Sequence, residues 1–178
     1  FVVVGPTSNA GWVYSPTAQP HARWWAITPT LYFERNEPSP DSTVLTAGLA
    51  TRLRPLSLVR AKAALPVAGE PLARRILRSL AAAGVTDAVL NLHHLPHTLT
   101  SFIGDGSELG VRVRYSWEVP VLGSAGGPKR ALPLVGASTF LIVNGDTLTN
   151  ASIDGVVDAH RRTGALVTLL FTPPALAI

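Results

Sequence analysis

The chain has 178 residues, of which 47% are hydrophobic and 15% are charged, and its formal net charge at pH 7 is +4. This composition predicts a globular protein, and the small charge argues against a nucleic-acid partner, because such proteins usually gather far more lysine and arginine. The absence of cysteine excludes disulfides, thiol catalysis and cysteine-based zinc sites, and it favours a reducing, cytoplasmic location. No apolar run approaches the roughly 18 residues of a membrane span, so we expect no membrane partner.

Residues 1–41 differ in character from the rest of the chain. Six prolines interrupt this stretch, and three of the four tryptophans lie in it. Neither a helical nor a strand period is maintained there for ten residues, and repeated proline breaks both kinds of element. We therefore predict an irregular extension over residues 1–41, with a functional aromatic-rich arm as the alternative, and one domain over residues 42–178.

From Ser42 onward, predicted strands and helices alternate. The strands are expected at residues 42–47, 87–92, 111–115, 140–144 and 165–170, and the helices at residues 71–83, 96–103, 127–132 and 153–163. Alternation at these lengths predicts an α/β fold, with a mostly parallel sheet and helices on both faces. Because ligands bind such sheets beyond the carboxyl ends of the strands, the loops after the strands are the first candidates for a site.

The loop after the first predicted strand combines small residues with positive charge. It reads GLATR from Gly48, and Arg52, Arg54, Arg60 and Lys62 lie within it. Small residues let backbone N–H groups approach an anion, while arginine and lysine match phosphate oxygens. The pattern predicts a polyphosphate site, and a solvated surface loop is the alternative that charge and glycine alone leave open.

Two familiar nucleotide motifs do not fit the sequence. A P-loop needs GxxxxGK[ST], and the stretch from Gly123 to Lys129 has Pro128 where the second glycine belongs. A dinucleotide fingerprint needs GxGxxG between a strand and a helix, whereas the glycines of residues 104–110 have another spacing and precede a strand.

Two further loops are candidates for binding. Residues 123–127, GSAGG, precede a predicted helix and form either a simple turn or a flat backbone surface for a nucleobase. Residues 144–146, NGD, end the most apolar predicted strand. A carboxylate at that position, Asp146, is a natural Mg²⁺ ligand, and a turn-forming aspartate is the alternative.

Five motifs in order resemble those of the sugar-1-phosphate nucleotidyltransferases. They are LTAGLATRLRPLSLVRAKAALPVAGEP (residues 45–71), GVTDAVLNLHH (84–94), IGDGSELGVRVRYSWE (103–118), LGSAGG (122–127) and FLIVNGD (140–146). The resemblance is strongest to the branch that handles mannose-1-phosphate or N-acetylmuramate-1-phosphate. It implies a Rossmann-like three-layer α/β sandwich, and a reaction in which NTP and sugar 1-phosphate give NDP-sugar and pyrophosphate.

The resemblance also implies roles for individual residues. Arg52, Lys62 and Asp146 would be catalytic, with Asp146 also holding Mg²⁺. Arg52 would bind the β- and γ-phosphates, and Lys62 the α-phosphate and the incoming sugar phosphate. The implied nucleotide-binding residues are Leu45, Ala47, Gly48, Ala50, Thr51, Asn91, Glu118, Gly123, Ser124 and Gly126. Glu118 and Ser124 would face the base.

The implied partners are a nucleoside triphosphate, with GTP or UTP favoured, and a sugar 1-phosphate; a homo-oligomer is left open. Ala61 stands where the family has proline before the key lysine, and Ala50 where glycine is commonest. The family's domain continues into sugar-binding elements, so we expect an incomplete copy, truncated at its C-terminus, that binds NTP at best. The alternatives are a non-catalytic regulatory paralogue that binds nucleotide-sugar, and an inactive fragment.

Overall fold

A computed structural model describes residues 2–4, 41–136 and 140–171. The strands are β1 (Val2–Val4), β2 (Asp41–Leu45), β3 (Pro66–Val67), β4 (Glu70–Pro71), β5 (Asp87–Leu92), β6 (Arg112–Trp117) and β7 (Phe140–Asn144). The α-helices are α1 (Leu72–Ala82), α2 (His97–Ile103), α3 (Gly123–Ala131) and α4 (Ile153–Thr163). Of residues 1–41, predicted to be irregular, residues 1 and 5–40 lie outside the described residues, whereas residues 2–4 form β1 and Asp41 begins β2.

The main sheet has the strand order β1-β7-β2-β5-β6, and β3 and β4 form a separate hairpin. β7, β2, β5 and β6 run parallel, and β1 pairs antiparallel with β7. Right-handed crossovers place α1 and α2 on one face and α3 on the other. α1 accordingly packs against α2, while α3 crosses β2, β5 and β6. The predicted three-layer α/β fold with a mostly parallel sheet is confirmed.

The core lies between these layers. Ser42, Thr43 and Val44 of β2 are fully buried, and all of β5 beyond its first residue is buried. Such a continuous buried run is typical of a parallel strand that is covered on both faces. α1 buries five residues at helical spacing, at positions 72, 73, 76, 77 and 80. In the described residues, no helix combines the length and the apolar character that crossing a membrane requires.

The predicted element bounds agree closely with the structure at most positions. Residues 87–92, 140–144 and 153–163 match to the residue. One helix begins earlier than predicted, because α3 starts at Gly123 and so includes the glycine-rich stretch. Glycine is a poor helix former, and only contacts with the rest of the fold, described below, make this turn helical.

The strand predicted at residues 165–170 is wrong. In residues 164–171 the structure has only one bridge residue, Leu169, and Leu166, Val167 and Phe171 are exposed. A strand needs a neighbour to complete its hydrogen bonds. The edge of β7 that a following strand would use is occupied by β1, in the register Val2↔Ile142 to Val4↔Phe140.

The burial of β5 makes a stability prediction. Leu90 is completely buried, so Leu90→Ala should lower the free energy of unfolding by about 2–5 kcal/mol through lost contacts and a residual cavity. The matched control is Leu58→Ala, whose side chain is 59% exposed and whose loss should cost less than about 0.5 kcal/mol. Urea unfolding measures both, and equal effects would contradict the assignment of Leu90 to the core.

Candidate functional site

The carboxyl ends of the parallel strands meet at one edge of the sheet. Leu45 at the end of β2 is in register with Asn91 on one side and with Asn144 on the other. The chain leaves β2 towards β5 and β6 and later returns to β7, so the strand order reverses beside β2. This reversal is the position at which open parallel sheets bind their ligands.

Gly145 brings the end of β7 against the end of β2. Its N–H donates to the Leu45 carbonyl at 3.0 Å. A Cβ at Gly145 would lie 2.5 Å from that oxygen and 2.7 Å from the Thr46 methyl carbon. Any larger residue would therefore push the two strand ends apart, and glycine is what allows Asp146 to lie beside the loop that follows β2.

Two of the predicted catalytic residues meet at this edge. Lys62 and Asp146, which are 84 residues apart in sequence, form an ion pair between Nζ and Oδ2. The other carboxylate oxygen of Asp146 accepts a hydrogen bond from Thr147 Oγ1 at 3.1 Å. The Lys62 and Asp146 side chains are 35% and 34% exposed, so the pair is accessible to a ligand. An ion pair this exposed contributes at most about 1 kcal/mol to stability.

Lys62 begins a short 3₁₀ turn over residues 62–64, in which Ala63 and Ala64 are buried. This turn packs against both α1 and α2. The small alanine side chains permit that close approach, while the lysine side chain points to Asp146. The backbone of the lysine is therefore held in the interior although its charge lies at the surface.

The third predicted catalytic residue, Arg52, lies in the exposed 3₁₀ turn at residues 51–53. In the described part of the chain, Arg52 and Arg54 form no hydrogen bond or ion pair, and neither contacts Asp146. Ala50 precedes the turn with φ 50° and ψ 42°, a left-handed conformation that costs a non-glycine residue roughly 1–2 kcal/mol. A Cβ at Gly48 would meet nothing within 4 Å, so the start of the loop is open at that position.

A chain of hydrogen bonds ties together the ends of β2, β5 and β6. The Thr46 N–H donates to Asn91 Oδ1 at 2.6 Å, and Asn91 Nδ2 donates to Glu118 Oε1 at 2.7 Å. Glu118 Oε2 in turn accepts from the Leu122 N–H at 2.8 Å. Thr46, Asn91 and Glu118 are all buried, and Leu122 directly precedes α3. The glycine-rich turn is thereby attached to the strand ends.

The direction of each hydrogen bond in this series determines which side chains can form it. The Thr46 N–H can only donate, so Asn91 must present its oxygen to Thr46 and its amide nitrogen to Glu118. Glu118 then faces one donor from Asn91 and another from Leu122. Only a carboxylate, which accepts at both oxygens, satisfies both.

Gly127 explains why the glycine-rich turn can be helical here. It is buried, and a Cβ would lie 2.6 Å from both Asn91 Nδ2 and Glu118 Oε1. Without a side chain, the first turns of α3 can pack directly on the buried polar pair. Gly126 is also close-packed, since its Cβ would meet the Leu122 Cβ at 2.8 Å, whereas Ser124 remains exposed.

The structure thus groups the predicted site residues into two parts. Leu45, Ala47, Gly48, Ala50, Thr51, Arg52, Lys62 and Asp146 lie at the end of β2, in the loop that follows it and after β7, whereas Asn91, Glu118, Gly123, Ser124 and Gly126 lie at the end of β5, after β6 and at the start of α3. Sequence reasoning gave no role to Thr46, Leu122 and Gly145, and it considered Gly127 only within the 123–127 stretch. Their signal was weak, because Thr46 and Leu122 donate backbone N–H groups and the two glycines act through the absence of a side chain.

His93, His94 and Asp105 each form hydrogen bonds within the fold. His93 Nδ1 donates to the Glu118 carbonyl at 2.9 Å, and His94 Nε2 to the Ser57 carbonyl at 2.6 Å. Asp105 forms a turn by accepting from Ser107 Oγ and N, and these two hydrogen bonds, the side-chain one first, lower the pKa of Asp105.

Among the described residues, no cluster of three or more His, Cys, Asp or Glu side chains could hold a metal ion by itself. The single carboxylate of Asp146 nevertheless fits Mg²⁺. That ion is usually held by one or two carboxylates together with water and substrate phosphates, and not by a cage of protein ligands.

Comparison with known proteins agrees with this geometry. A family model described as Nucleotidyl transferase matches residues 42–177. The chain belongs to this family. Among the relatives of this nucleotidyl transferase is the mannose-1-phosphate guanylyltransferase of Mycobacterium tuberculosis, which is 38% identical over 129 residues, or 72% of this chain and 36% of that protein.

Another relative of the nucleotidyl transferase is the N-acetylmuramate alpha-1-phosphate uridylyltransferase of Neisseria meningitidis. It is 44% identical over 108 residues, which are 60% of this chain and 47% of that protein. The crystal structure of HddC from Yersinia pseudotuberculosis complexed with GMP-PN superposes with a TM-score of 0.61 at 26% identity, covering 68% of this chain and 54% of that one. The family predicted from the five motifs is confirmed, and the chain spans about half or less of these relatives.

The direction of these hydrogen bonds predicts the effect of a substitution at Glu118. Glu118→Gln keeps the shape of the side chain but places an NH₂ group against one of two buried donors, so it should lower the free energy of unfolding by about 1–3 kcal/mol. The control Glu108→Gln changes a side chain that is 77% exposed and should have an effect below about 0.5 kcal/mol. Urea unfolding of the two variants tests this. A Glu118→Gln protein as stable as the control would show that Glu118 does not accept both of these hydrogen bonds.

Proposed function

We propose that this chain is the nucleotide-binding part of a sugar-1-phosphate nucleotidyltransferase. The supporting observation is the Lys62–Asp146 ion pair, which lies at the carboxyl ends of β2 and β7 where the strand order reverses. A cation and a metal-binding type of carboxylate are thereby placed together at the expected ligand position. The guanidinium of Arg52, for which the described residues offer no hydrogen bond or ion pair, lies on the same loop as Lys62.

In the proposed reaction, an oxygen of the sugar phosphate attacks the α-phosphorus of the nucleoside triphosphate. The bond from the α-phosphorus to the oxygen bridging to the β-phosphorus breaks, and pyrophosphate leaves with that electron pair. Arg52 and Thr51 bind the β- and γ-phosphates, and Lys62 binds the α-phosphate and the sugar phosphate. These groups act by positioning the reactants and by cancelling the negative charge that develops in the transition state.

Asp146 is the residue we propose to hold Mg²⁺, which when bound supplies positive charge to the phosphate oxygens. The remaining oxygen ligands would come from water and the nucleotide. In the structure the Lys62 ammonium is paired with Asp146, and this pair keeps the carboxylate that would hold the metal ion next to the cation that would bind phosphate.

The base is proposed to lie between the loop after β2 and the first turn of α3. Leu45, Ala47 and Gly48 border it on one side, with Ala50 following. Exposed Ser124, with Gly123 and Gly126, borders it on the other, and the buried Asn91–Glu118 pair supports that turn from beneath. GTP and UTP are the favoured nucleotides, because the two relatives described above are named as a guanylyltransferase and a uridylyltransferase.

The sugar 1-phosphate belongs to the proposal for the whole protein, since the chain spans only 36% and 47% of those relatives. A cytoplasmic location is part of the same proposal, which leaves a homo-oligomer open. If the whole protein is the proposed enzyme, it should release pyrophosphate from NTP in the presence of Mg²⁺ and a sugar 1-phosphate. Nucleotide or nucleotide-sugar binding without turnover would favour a regulatory role instead.

Nucleotide binding by the chain tests the proposed site. Lys62→Met, Asp146→Asn and Arg52→Gln should each weaken binding of GTP or UTP in the presence of Mg²⁺ by on the order of tenfold or more, since each removes one charged contact with the phosphates. The control Arg162→Gln removes one positive charge from the outside of α4 and should leave the affinity unchanged. Titration calorimetry gives the affinities. Equal affinities across all four variants, or no binding of any nucleotide by the unmodified chain, would reject the site.

A further inference from the structure

Ala61, the residue directly before Lys62, is completely buried and is fixed at both of its backbone polar groups. Its carbonyl accepts from the Ala64 N–H at 2.9 Å, and its own N–H donates to Thr98 Oγ1 at 3.0 Å. Its φ of −59° and ψ of 147° are values that proline adopts. The loop therefore has a proline-like conformation at a position where the backbone N–H is present and needs a partner.

Thr98 supplies that partner from the first turn of α2. Thr98 is 9% exposed, and its hydroxyl donates to the Leu95 carbonyl at 2.7 Å. Because its one hydrogen is used there, the oxygen presents a lone pair to the Ala61 N–H. The same helix packs against the 62–64 turn that Lys62 begins.

The loop is attached to the same segment at a second point. His94 Nε2 donates to the Ser57 carbonyl at 2.6 Å, and this ring nitrogen must carry the hydrogen because a carbonyl only accepts. Between the two attachments, Leu58 and Val59 are 59% and 68% exposed. Leu58 and Val59 thus form the exposed part of the segment between these two attachments, and the Thr98 bond is the attachment nearer to Lys62.

We propose that Thr98 is a positioning residue for Lys62. By holding the Ala61 N–H, its hydroxyl fixes the direction in which the chain enters the 62–64 turn, and so aims the Lys62 ammonium at Asp146 and at the phosphate position. The hydrogen bond replaces the restraint on φ that a proline ring would give at position 61. The effect that this inference predicts on nucleotide binding rests on the proposed function. The effect that it predicts on the Lys62–Asp146 contact does not.

The first test removes only the hydroxyl acceptor. Thr98→Val keeps the branched shape and leaves the buried Ala61 N–H unpaired, whereas the matched control Thr98→Ser keeps the hydroxyl. Thr98→Val should weaken Mg²⁺-dependent GTP or UTP binding by on the order of tenfold, and Thr98→Ser should restore the affinity of the unmodified chain. In a Lys62→Met background, Thr98→Val should have no further effect. An undiminished effect in that background would overturn the proposal, because Thr98 would then act on something other than Lys62.

The second test restores the restraint by another route. Ala61→Pro alone should weaken binding, because the ring Cδ would enter the space in front of the former N–H, where Thr98 Oγ1 lies. In Ala61→Pro with Thr98→Ala, the hydroxyl and methyl are gone, the ring has room, and no N–H is left unpaired. The double variant should therefore bind more tightly than either single variant. Additive losses in the double variant would contradict the proposal.

A measurement without nucleotide separates this inference from the proposed function. The ¹³C resonance of the Asp146 carboxylate reports its contact with Lys62, and Asp146 has no described contact with Thr98. Thr98→Val should move that resonance towards its position in Lys62→Met, while Thr98→Ser should leave it in place. If the resonance stays fixed in Thr98→Val while the Ala61 amide exchanges faster with solvent, the bond exists but does not position Lys62. The inference then fails even if nucleotide binds, and a shifted resonance in a chain that binds no nucleotide rejects the proposed function alone.

Discussion

The ion pair between Lys62 and Asp146 is the interaction on which the functional account depends. It joins two segments that are far apart in sequence, the loop after β2 and the end of β7. They meet at the edge where the strand order reverses. The pair adds little to stability at this exposure. Its importance lies in geometry, because it places one cation and one carboxylate within reach of the same ligand.

The surroundings of the pair are closely packed and hydrogen-bonded. Gly145 allows the ends of β2 and β7 to touch, and Gly127 allows α3 to pack on the buried Asn91–Glu118 pair. The hydrogen bonds from Thr46 to Leu122 then connect three strand ends to one helix start. An exposed charged loop is in this way held by a closely packed set of strand ends, which is the arrangement expected of a binding site.

Much of the fold could be predicted from the sequence because its central strands and helices have strong local patterns. The continuous apolar run of β7 and the capped, amphipathic α4 were located to the residue. The strand expected at residues 165–170 was not found, because pairing depends on a free sheet edge and the sequence gives no sign that Val2–Val4 occupies it. Likewise, a helix starting at Gly123 depends on contacts made by Gly127, which propensity cannot reveal.

The charged candidates were chosen because their residue types suit phosphate chemistry, and the structure brings two of them, Lys62 and Asp146, together, while their roles stay predictions. The residues that hold these charged side chains and the strand ends in place were not predictable in the same way. Gly145 acts by having no side chain, Leu122 acts through its N–H, and Thr98 acts on a neighbour that is 37 residues away in sequence. Such roles depend on the folded backbone and not on side-chain chemistry that a sequence pattern displays.

A crystal structure with a non-hydrolysable GTP or UTP analogue and Mg²⁺ is the most direct measurement. The account predicts a triphosphate between residues 48–52 and the end of β7, with Lys62 Nζ moved from Asp146 to a phosphate oxygen and Asp146 turned to the metal ion. An analogue bound elsewhere, with the Lys62–Asp146 ion pair unchanged, would contradict it.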